Sequence, residues 1–377
     1  MNIVFAAHSY MNPHLVVGSH HLARNLAAMG HRVFHFSTPI TLPHWLRFQG
    51  NASYRARIAL WRKSGLRHSE NLVEYVPLSL IPWQIAKYGG IERNLYTYFF
   101  PSLESILKKN NFGDIDALII DEPRLVGCER HIRAKKIFYR ATDLYVEMKN
   151  DRAILEAERI LLNRCNGMIA TSQPVLERLQ SLSQNKPSLL LENGVDYEFF
   201  SLLREMPEEY AHIPSPRAVY VGALDERFNF EAIRQLAQSL PQLHVVLIGD
   251  FPVTQHHSFP SNVHILGMRP YEQAPAYMQH AQIGLLPLSE HPANQGRSPM
   301  KLYEYAAAGI PVVATATAEL SRRKLDFVTL VENNADFAKA VSMSLQNPIP
   351  KETIQAHARS QNWLQKTKAL LEFMESV

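Results

Sequence analysis

Residues Ser298–Thr315 read SPMKLYEYAAAGIPVVAT. Lys301 and Glu304 stand near the start of a helical stretch that runs into Ala306, Ala307 and Ala308. Gly309 can take the left-handed conformation that closes a helix, and Pro311 cannot continue one. Val312 and Val313 then open a buried strand. A charged helix start beside such a strand suits an anion such as a diphosphate, because first-turn N–H groups lack helical partners and the dipole is positive there. The same letters fit an ordinary helix–strand unit of an α/β domain, and spacing alone leaves both readings open.

A chain of 377 residues exceeds one typical core, so two domains are expected. Charged residues at 20% and hydrophobic residues at 46% are the balance of a soluble globular protein. No apolar run approaches the roughly 18–20 residues of a membrane-spanning helix, and the opening MNIVFAAHSY lacks a signal peptide's basic start. Cys128 and Cys165 are far apart and without metal-ligand spacing, which fits a reducing, cytosolic compartment. The formal charge of +4 is mild, and its distribution says more than its sum.

Upstream, Asn2–Ala7 is a short apolar run, Leu22, Leu26 and Met29 recur at helical spacing, and Val33, Phe34 and Phe36 resume as a strand. This βαβ opening predicts a doubly wound parallel sheet. No GxGxxG occupies the first turn, so a dinucleotide site is not supported. His8, His14, His20, His21, His31 and His35 form no recognisable metal-ligand pattern and read as dispersed polar residues. His8 stands apart because it ends the first strand, where α/β folds place ligands.

Residues 41–110 differ in composition. Ten basic residues from Arg47 to Lys109 face only Glu70, Glu74, Glu92 and Glu104, with Trp45, Phe48, Trp83, Tyr88 and Phe100 among the interleaved aromatics. The mixture suits an anionic membrane surface, or equally a solvated helical insertion whose aromatics are core. Nucleic acid ranks behind both, since no binding motif accompanies the charge. The formal D-x-D of Asp114 and Asp116 precedes an apolar strand and reads as a turn, leaving Asp121 and Glu122 at the strand's far end better placed for a ligand. A strand over Ile137–Tyr139 then delivers Arg140, Thr142 and Asp143 to a loop, where the carboxylate suits a general base, a polar anchor or a helix-start turn. Glu205–Pro216 reads as a linker. Beyond it three strands, Ala218–Val221, Val245–Ile248 and Val263–Leu266, each end in glycine, which lets a ligand approach the backbone.

The ordered strings NGVD, VYVGAL, VVLIGD, NVHILGMRPYEQAPAYMQHAQIGLLPL and KLYEYAAAGIPVVAT resemble the GT-B glycosyltransferases. That resemblance implies an α/β GT-B fold: two Rossmann-like domains facing a central cleft, with a C-terminal helix returning to the N-terminal domain. Residues 1–196 would bind acceptor, 197–350 the nucleotide sugar, and 351–377 would pack back on the first domain. YRATD is similar to the YRASD of xanthan-type (GumK-like) glucuronosyltransferases and their teichuronic-acid-type relatives, which makes Asp143 the base, with His8 and Arg140 placing acceptor or orienting Asp143. MKLYEY is similar to MKLLQY, which gives Lys301 a donor phosphate or carboxylate, Met300 and Leu302 neighbouring contacts, and Glu304 the ribose hydroxyls. Gly222 and Met268 complete the implied donor site.

Retaining relatives carry an arginine, a lysine and a second glutamate where this chain has Ala223, Phe228 and Gly296, which favours the GumK-like mechanism. Glu304 replaces that group's glutamine, and its donor-side tyrosine is missing near Leu288. The resemblance thus implies metal-independent transfer of a hexose or hexuronic acid from a UDP-linked donor, with no cofactor. The acceptor would be a saccharide or lipid-linked saccharide in cell-surface polysaccharide synthesis, reached at the inner membrane face. A sugar-nucleotide 2-epimerase of the same fold and a non-catalytic saccharide-binding protein are the alternatives.

Overall fold

The computed structural model describes residues 1–11, 16–43, 51–251 and 258–377; His14 and the aromatic-basic residues Trp45, Arg47 and Phe48 lie outside them. The chain forms two compact units, the first Met1–Glu192 with Lys366–Val377 and the second Asn193–Gln365.

The first unit's described strands are β1 (Asn2–Ala7), β2 (Arg32–Ser37), β3 (Ile40–Thr41), β4 (Leu66–Ser69), β5 (Leu72–Tyr75), β6 (Leu78–Ser79), β7 (Ile115–Ile120), β8 (Ala134–Ala141), β9 (Gly167–Ala170) and β10 (Ser188–Leu190). Eight of them form one sheet in the order β10-β9-β8-β7-β1-β2-β5-β4, parallel except for the edge pair β4–β5. Strands β3 and β6 form a separate short pair. Ile3 to Ala7 and Ala117 to Ile120 are buried on both faces, as central parallel strands covered by helices must be. The chain leaves β1 toward β2 and β5, then returns to β7 on the opposite side. Strand order therefore reverses between β1 and β7, the position where open α/β sheets hold ligands beyond the strand ends.

The second unit's strands are β11 (Arg217–Val221), β12 (His244–Ile248), β13 (Val263–Gly267), β14 (Ile283–Leu286), β15 (Val312–Thr315) and β16 (Val328–Val331). They lie in the order β13-β12-β11-β14-β15-β16, all parallel, with the reversal between β11 and β14. Between β14 and β15 runs the helix Met300–Ala308, closed by Gly309 at φ 82° as its sequence predicts. The face from Leu302 to Ala308 is buried, and Tyr305 reaches under the strand reversal. Its hydroxyl accepts from the Val221 amide and donates to the Val219 carbonyl, both at 3.2 Å.

Three expectations shift. The stretch Glu205–Pro216 is built into the second unit: Tyr210 and Ile213 are buried, and the Tyr210 hydroxyl donates to the Tyr277 carbonyl at 3.0 Å. Residues 351–377 do not act as one segment. Ile354 and Ala358 of the helix Lys351–Arg359 enter the second unit's core, and Gln355 Nε2 donates to the Ala307 carbonyl at 2.9 Å. Only Lys366 onward joins the first unit, where Phe373 packs on Phe138 and Lys136 Nζ donates to the Met374 carbonyl at 2.9 Å. Finally, β8 runs two residues past Tyr139, so Arg140 lies inside the strand instead of in the following loop.

Candidate active site

In the second unit the loops that follow β11 and β14 are stitched together. Asn229 N donates to the Pro287 carbonyl at 2.8 Å and Ser289 N to the Arg227 carbonyl at 2.9 Å. Buried Asn294 adds bonds from Nδ2 to the Arg227 and Ser289 carbonyls at 3.0 and 2.9 Å. Gly222 opens the first loop directly above the strand reversal. Phe228 is buried against Tyr220 and Phe230, so an apolar contact fills the position at which a lysine was absent.

The second loop delivers the helix start. Pro299 precedes Met300, no side chain caps the first turn and no acidic residue occupies it, so its amide groups and positive dipole remain suited to an anion. Lys301 Nζ lies 2.6 Å from Glu304 Oε2. Glu304 is 1% exposed, and its other oxygen, Oε1, is buried without a hydrogen-bond partner. A buried acceptor left unsatisfied costs roughly 1–3 kcal/mol, which a ligand hydroxyl would recover. Ser298, beside the helix start, is fixed by Asn193 Nδ2 on its carbonyl at 2.8 Å and by Arg323 Nη2 on its hydroxyl at 2.7 Å.

The other expected donor residues divide. Met300 is half-buried at the helix start, whereas Leu302 is wholly buried in the core, so only its backbone could face a ligand. Met268 is exposed just beyond β13, two strands from β11.

In the first unit Arg140 is 1% exposed and pairs with Asp121 at 2.8 Å. Asp121 Oδ1 and Arg140 Nε and Nη2 are buried without partners. Burial raises the Asp121 carboxyl to about 6 even though the guanidinium opposes the shift. Arg140 is thus enclosed within the sheet, holding Asp121. Glu122 differs: burial disfavours its charge, but Arg124, bonded at 2.8 and 2.9 Å, outweighs that and holds the carboxyl below its usual range. Tyr145 donates to the Asp121 carbonyl at 2.5 Å and meets Thr142 Oγ1 at 2.6 Å, and Thr142 in turn reaches Asp143 Oδ2 at 3.4 Å. Burial, followed by the charges of Glu122 and Asp143, raises the Tyr145 phenol well above its usual value and keeps it a donor. Asp143 itself is half-buried at the end of β8.

His8 is exposed at the end of β1. Asp116 belongs to the structure instead: it accepts from the Asn2 amide and from Lys135 Nζ, each at 2.7 Å. Among the described residues, no group of three or more His, Cys, Asp or Glu side chains is arranged to hold a metal ion.

Sequence reasoning missed Tyr305, Asn294 and the Asp225–Arg227 pair, whose charged atoms approach to 2.6 Å. Only their places beside the GA and GRSP turns hinted at them.

Residues 215–347 match the family described as glycosyl transferases group 1. A Bacillus subtilis protein provisionally named as a teichuronic acid biosynthesis glycosyltransferase, TuaH, is 28% identical over 227 residues, 56% of this chain and 57% of that protein. The match thus spans little more than half of that relative's length. Sucrose-phosphate synthase from Thermosynechococcus elongatus superposes with a TM-score of 0.74 at 16% identity, covering 100% of this chain and 99% of that one. Anabaena HepE in complex with UDP-glucose gives 0.70 at 14% identity with both chains fully covered. WaaG, a glycosyltransferase involved in lipopolysaccharide biosynthesis, gives 0.64 at 17% identity over 99% of each chain. The chain has the GT-B fold, and its residues 215–347 match the glycosyl transferases group 1 family.

Proposed function

We propose that this protein is a glycosyltransferase that takes a hexose or hexuronic acid from a uridine diphosphate sugar. The acceptor is a saccharide or lipid-linked saccharide of a cell-surface polysaccharide. The observation that carries the reading is the helix start of the second unit, where Lys301 and the uncapped first turn meet the buried, half-satisfied carboxylate of Glu304. An anion beside a pair of hydroxyls, as in a nucleoside diphosphate, fits both. The UDP-glucose complex of HepE supports the choice of donor.

In this reading the first unit removes the proton. Asp143 accepts it from the acceptor hydroxyl as that oxygen bonds to the anomeric carbon. The bond from that carbon to the diphosphate oxygen breaks, and the nucleoside diphosphate leaves with the electron pair. Lys301 and the first-turn amides meet the developing charge, so side chains and backbone perform the task that a metal performs elsewhere. Thr142 and Tyr145 hold the Asp143 loop, and Arg140 steadies Asp121 beneath it.

The first unit also supports a membrane-borne acceptor. Trp83, Tyr96 and Phe99 of the basic-aromatic stretch are core, but Leu80, Ile85, Tyr88, Tyr98 and Phe100 are exposed, with Tyr88 at 84%. Trp61 of the helix Ala52–Lys63 donates to the Phe100 carbonyl at 2.8 Å, bringing the exposed cations Arg55, Arg62 and Lys63 on that helix toward the same surface. Each cation near an anionic leaflet adds about 1 kcal/mol. No described helix is long and apolar enough to cross a membrane.

The test is transfer by Asp143→Asn with UDP-sugars and lipid-linked saccharide acceptors. Activity is expected to fall by about 10²–10⁴ with UDP affinity retained. Near-normal transfer by the folded variant would remove Asp143 from the mechanism. Acceptor-independent release of an epimerised sugar would replace transfer with epimerisation.

A further inference from the structure

After β11 this chain has exposed Ala223 and buried Phe228. The second unit nevertheless brings two guanidinium groups to the same loops. Arg227 comes from the loop after β11 and is engaged by Asp225, with Nε–Oδ1 at 3.1 Å and Nη2–Oδ2 at 2.6 Å. Arg297 comes from the loop after β14, three residues before the first residue of the helix Met300–Ala308. It is half-buried beside the neutral Tyr220 phenol, and it lies close enough to Asp225 to depress that carboxyl.

The site around Arg297 is rigid. The Tyr220 hydroxyl donates to the Ala223 carbonyl at 2.8 Å, which leaves its lone pairs for the guanidinium. Asn294, 1% exposed, ties the turn before Arg297 to the Arg227 carbonyl at 3.0 Å. On the other side Ser298 is anchored by Asn193 and Arg323. A guanidinium held by a neutral partner keeps its charge and several donors for an anion, whereas one engaged by a carboxylate has given up much of both.

We propose that Arg297 binds the donor diphosphate beside Lys301 in the second unit. Tyr220 acts as its positioning residue. The proposal rests on the donor reading above. The orphaned Glu304 Oε1 at the same helix start independently points to a ligand with hydroxyl donors beside that anion.

The experiment measures UDP and uridine affinities by ligand-observed NMR for the full-length protein, Arg297→Gln and Arg297→Lys. Arg297→Gln is expected to weaken UDP by about 10-fold or more while uridine is unchanged, because the lost bond is charge-assisted and reaches only phosphate. Arg297→Lys should recover part of the loss, since it keeps charge without the fork. A UDP-to-uridine ratio in Arg297→Gln equal to that of the unmodified chain overturns the proposal while leaving the donor reading intact. Failure of the unmodified chain to bind UDP overturns both. Arg297→Lys decides the matter should the glutamine variant melt early.

Discussion

The Asp121–Arg140 pair offers a test in which structure and catalysis can be separated. Arg140→Met leaves the Asp121 carboxylate inside the first unit without its counterion, 3% exposed and already with one oxygen unsatisfied. Removing one member of a buried pair costs about 3–5 kcal/mol. For a unit of this size that is a fall in melting temperature of about 6–20 °C. The double variant Asp121→Leu with Arg140→Met removes both charges and all three unsatisfied atoms, so it should melt at or above the unmodified chain. Acidity supplies a second readout. Burial raises the folded-state Asp121 carboxyl from 3.8 to about 6. A carboxyl raised on folding contributes stability that is complete below 3.8 and is lost as pH climbs through about 6. The loss amounts to roughly 3 kcal/mol. Relative to the unmodified chain, the double variant should therefore gain stability between pH 4 and 7. Calorimetric melting across that range, with transfer assayed on each variant, checks both. Because Tyr145 binds the Asp121 backbone carbonyl, the double variant should also keep most of its activity. Melting of Arg140→Met within 2 °C of the unmodified chain, or a double variant less stable than the single, would refute the reasoning.

Gly249→Ala should disable the second unit: a Cβ there would lie 1.8 Å from the Gly222 carbonyl oxygen, forcing β11 and β12 apart by roughly 1 Å and breaking the 2.9 Å bond from Gly222 N to Ile248 O. A cost of about 3 kcal/mol, seen as a melting temperature lower by about 6–12 °C, is expected, with weaker UDP binding. Lys301→Ala should weaken UDP by about 10-fold and destabilise the unit by about 1–3 kcal/mol, because Glu304 loses its counterion. Adding Glu304→Gln should restore the melting temperature without restoring affinity, and calorimetry against UDP separates the two effects. Tyr88→Ser with Phe100→Ser should reduce co-flotation with anionic phosphatidylglycerol vesicles while leaving soluble-acceptor transfer unchanged; full flotation by the variant would exclude that patch.

The helix–strand unit at Ser298–Thr315 was legible because its features are local: a 3.6-residue pattern, a glycine at a left-handed closure and a proline after it. The reversal points were legible for the same reason, since each strand ends in a small or polar residue. Burial of polar side chains was not. Arg140 reads as a loop residue because the apolar letters stop at Tyr139, yet β8 continues to Ala141 through its pairing with β9. Composition also fails to distinguish Trp83, buried with Nε1 on Asp151 at 2.9 Å, from Tyr88 five residues later in open solvent. That difference depends on which face of a short helix meets the sheet. Arg297 was invisible because its significance depends on Tyr220 and Asp225, more than 70 residues upstream in the chain.

The two units share a topology but differ in the charge they leave at their strand ends. In the first, Arg140 is engaged by Asp121 and Arg124 by Glu122. In the second, Asp225 is engaged by Arg227 and Glu304 by Lys301. These pairs largely cancel, and the proposed roles fall to other residues of each site. The first unit adds a carboxylate, Asp143, and the second adds a guanidinium, Arg297, at an uncapped helix start. A carboxylate stabilises a proton leaving a hydroxyl, and a cation stabilises negative charge on a departing diphosphate. Exchanging the two would place repulsion at both events. Under the proposed function, the opposite polarity of otherwise similar strand ends suits one unit to acceptor activation and the other to donor departure.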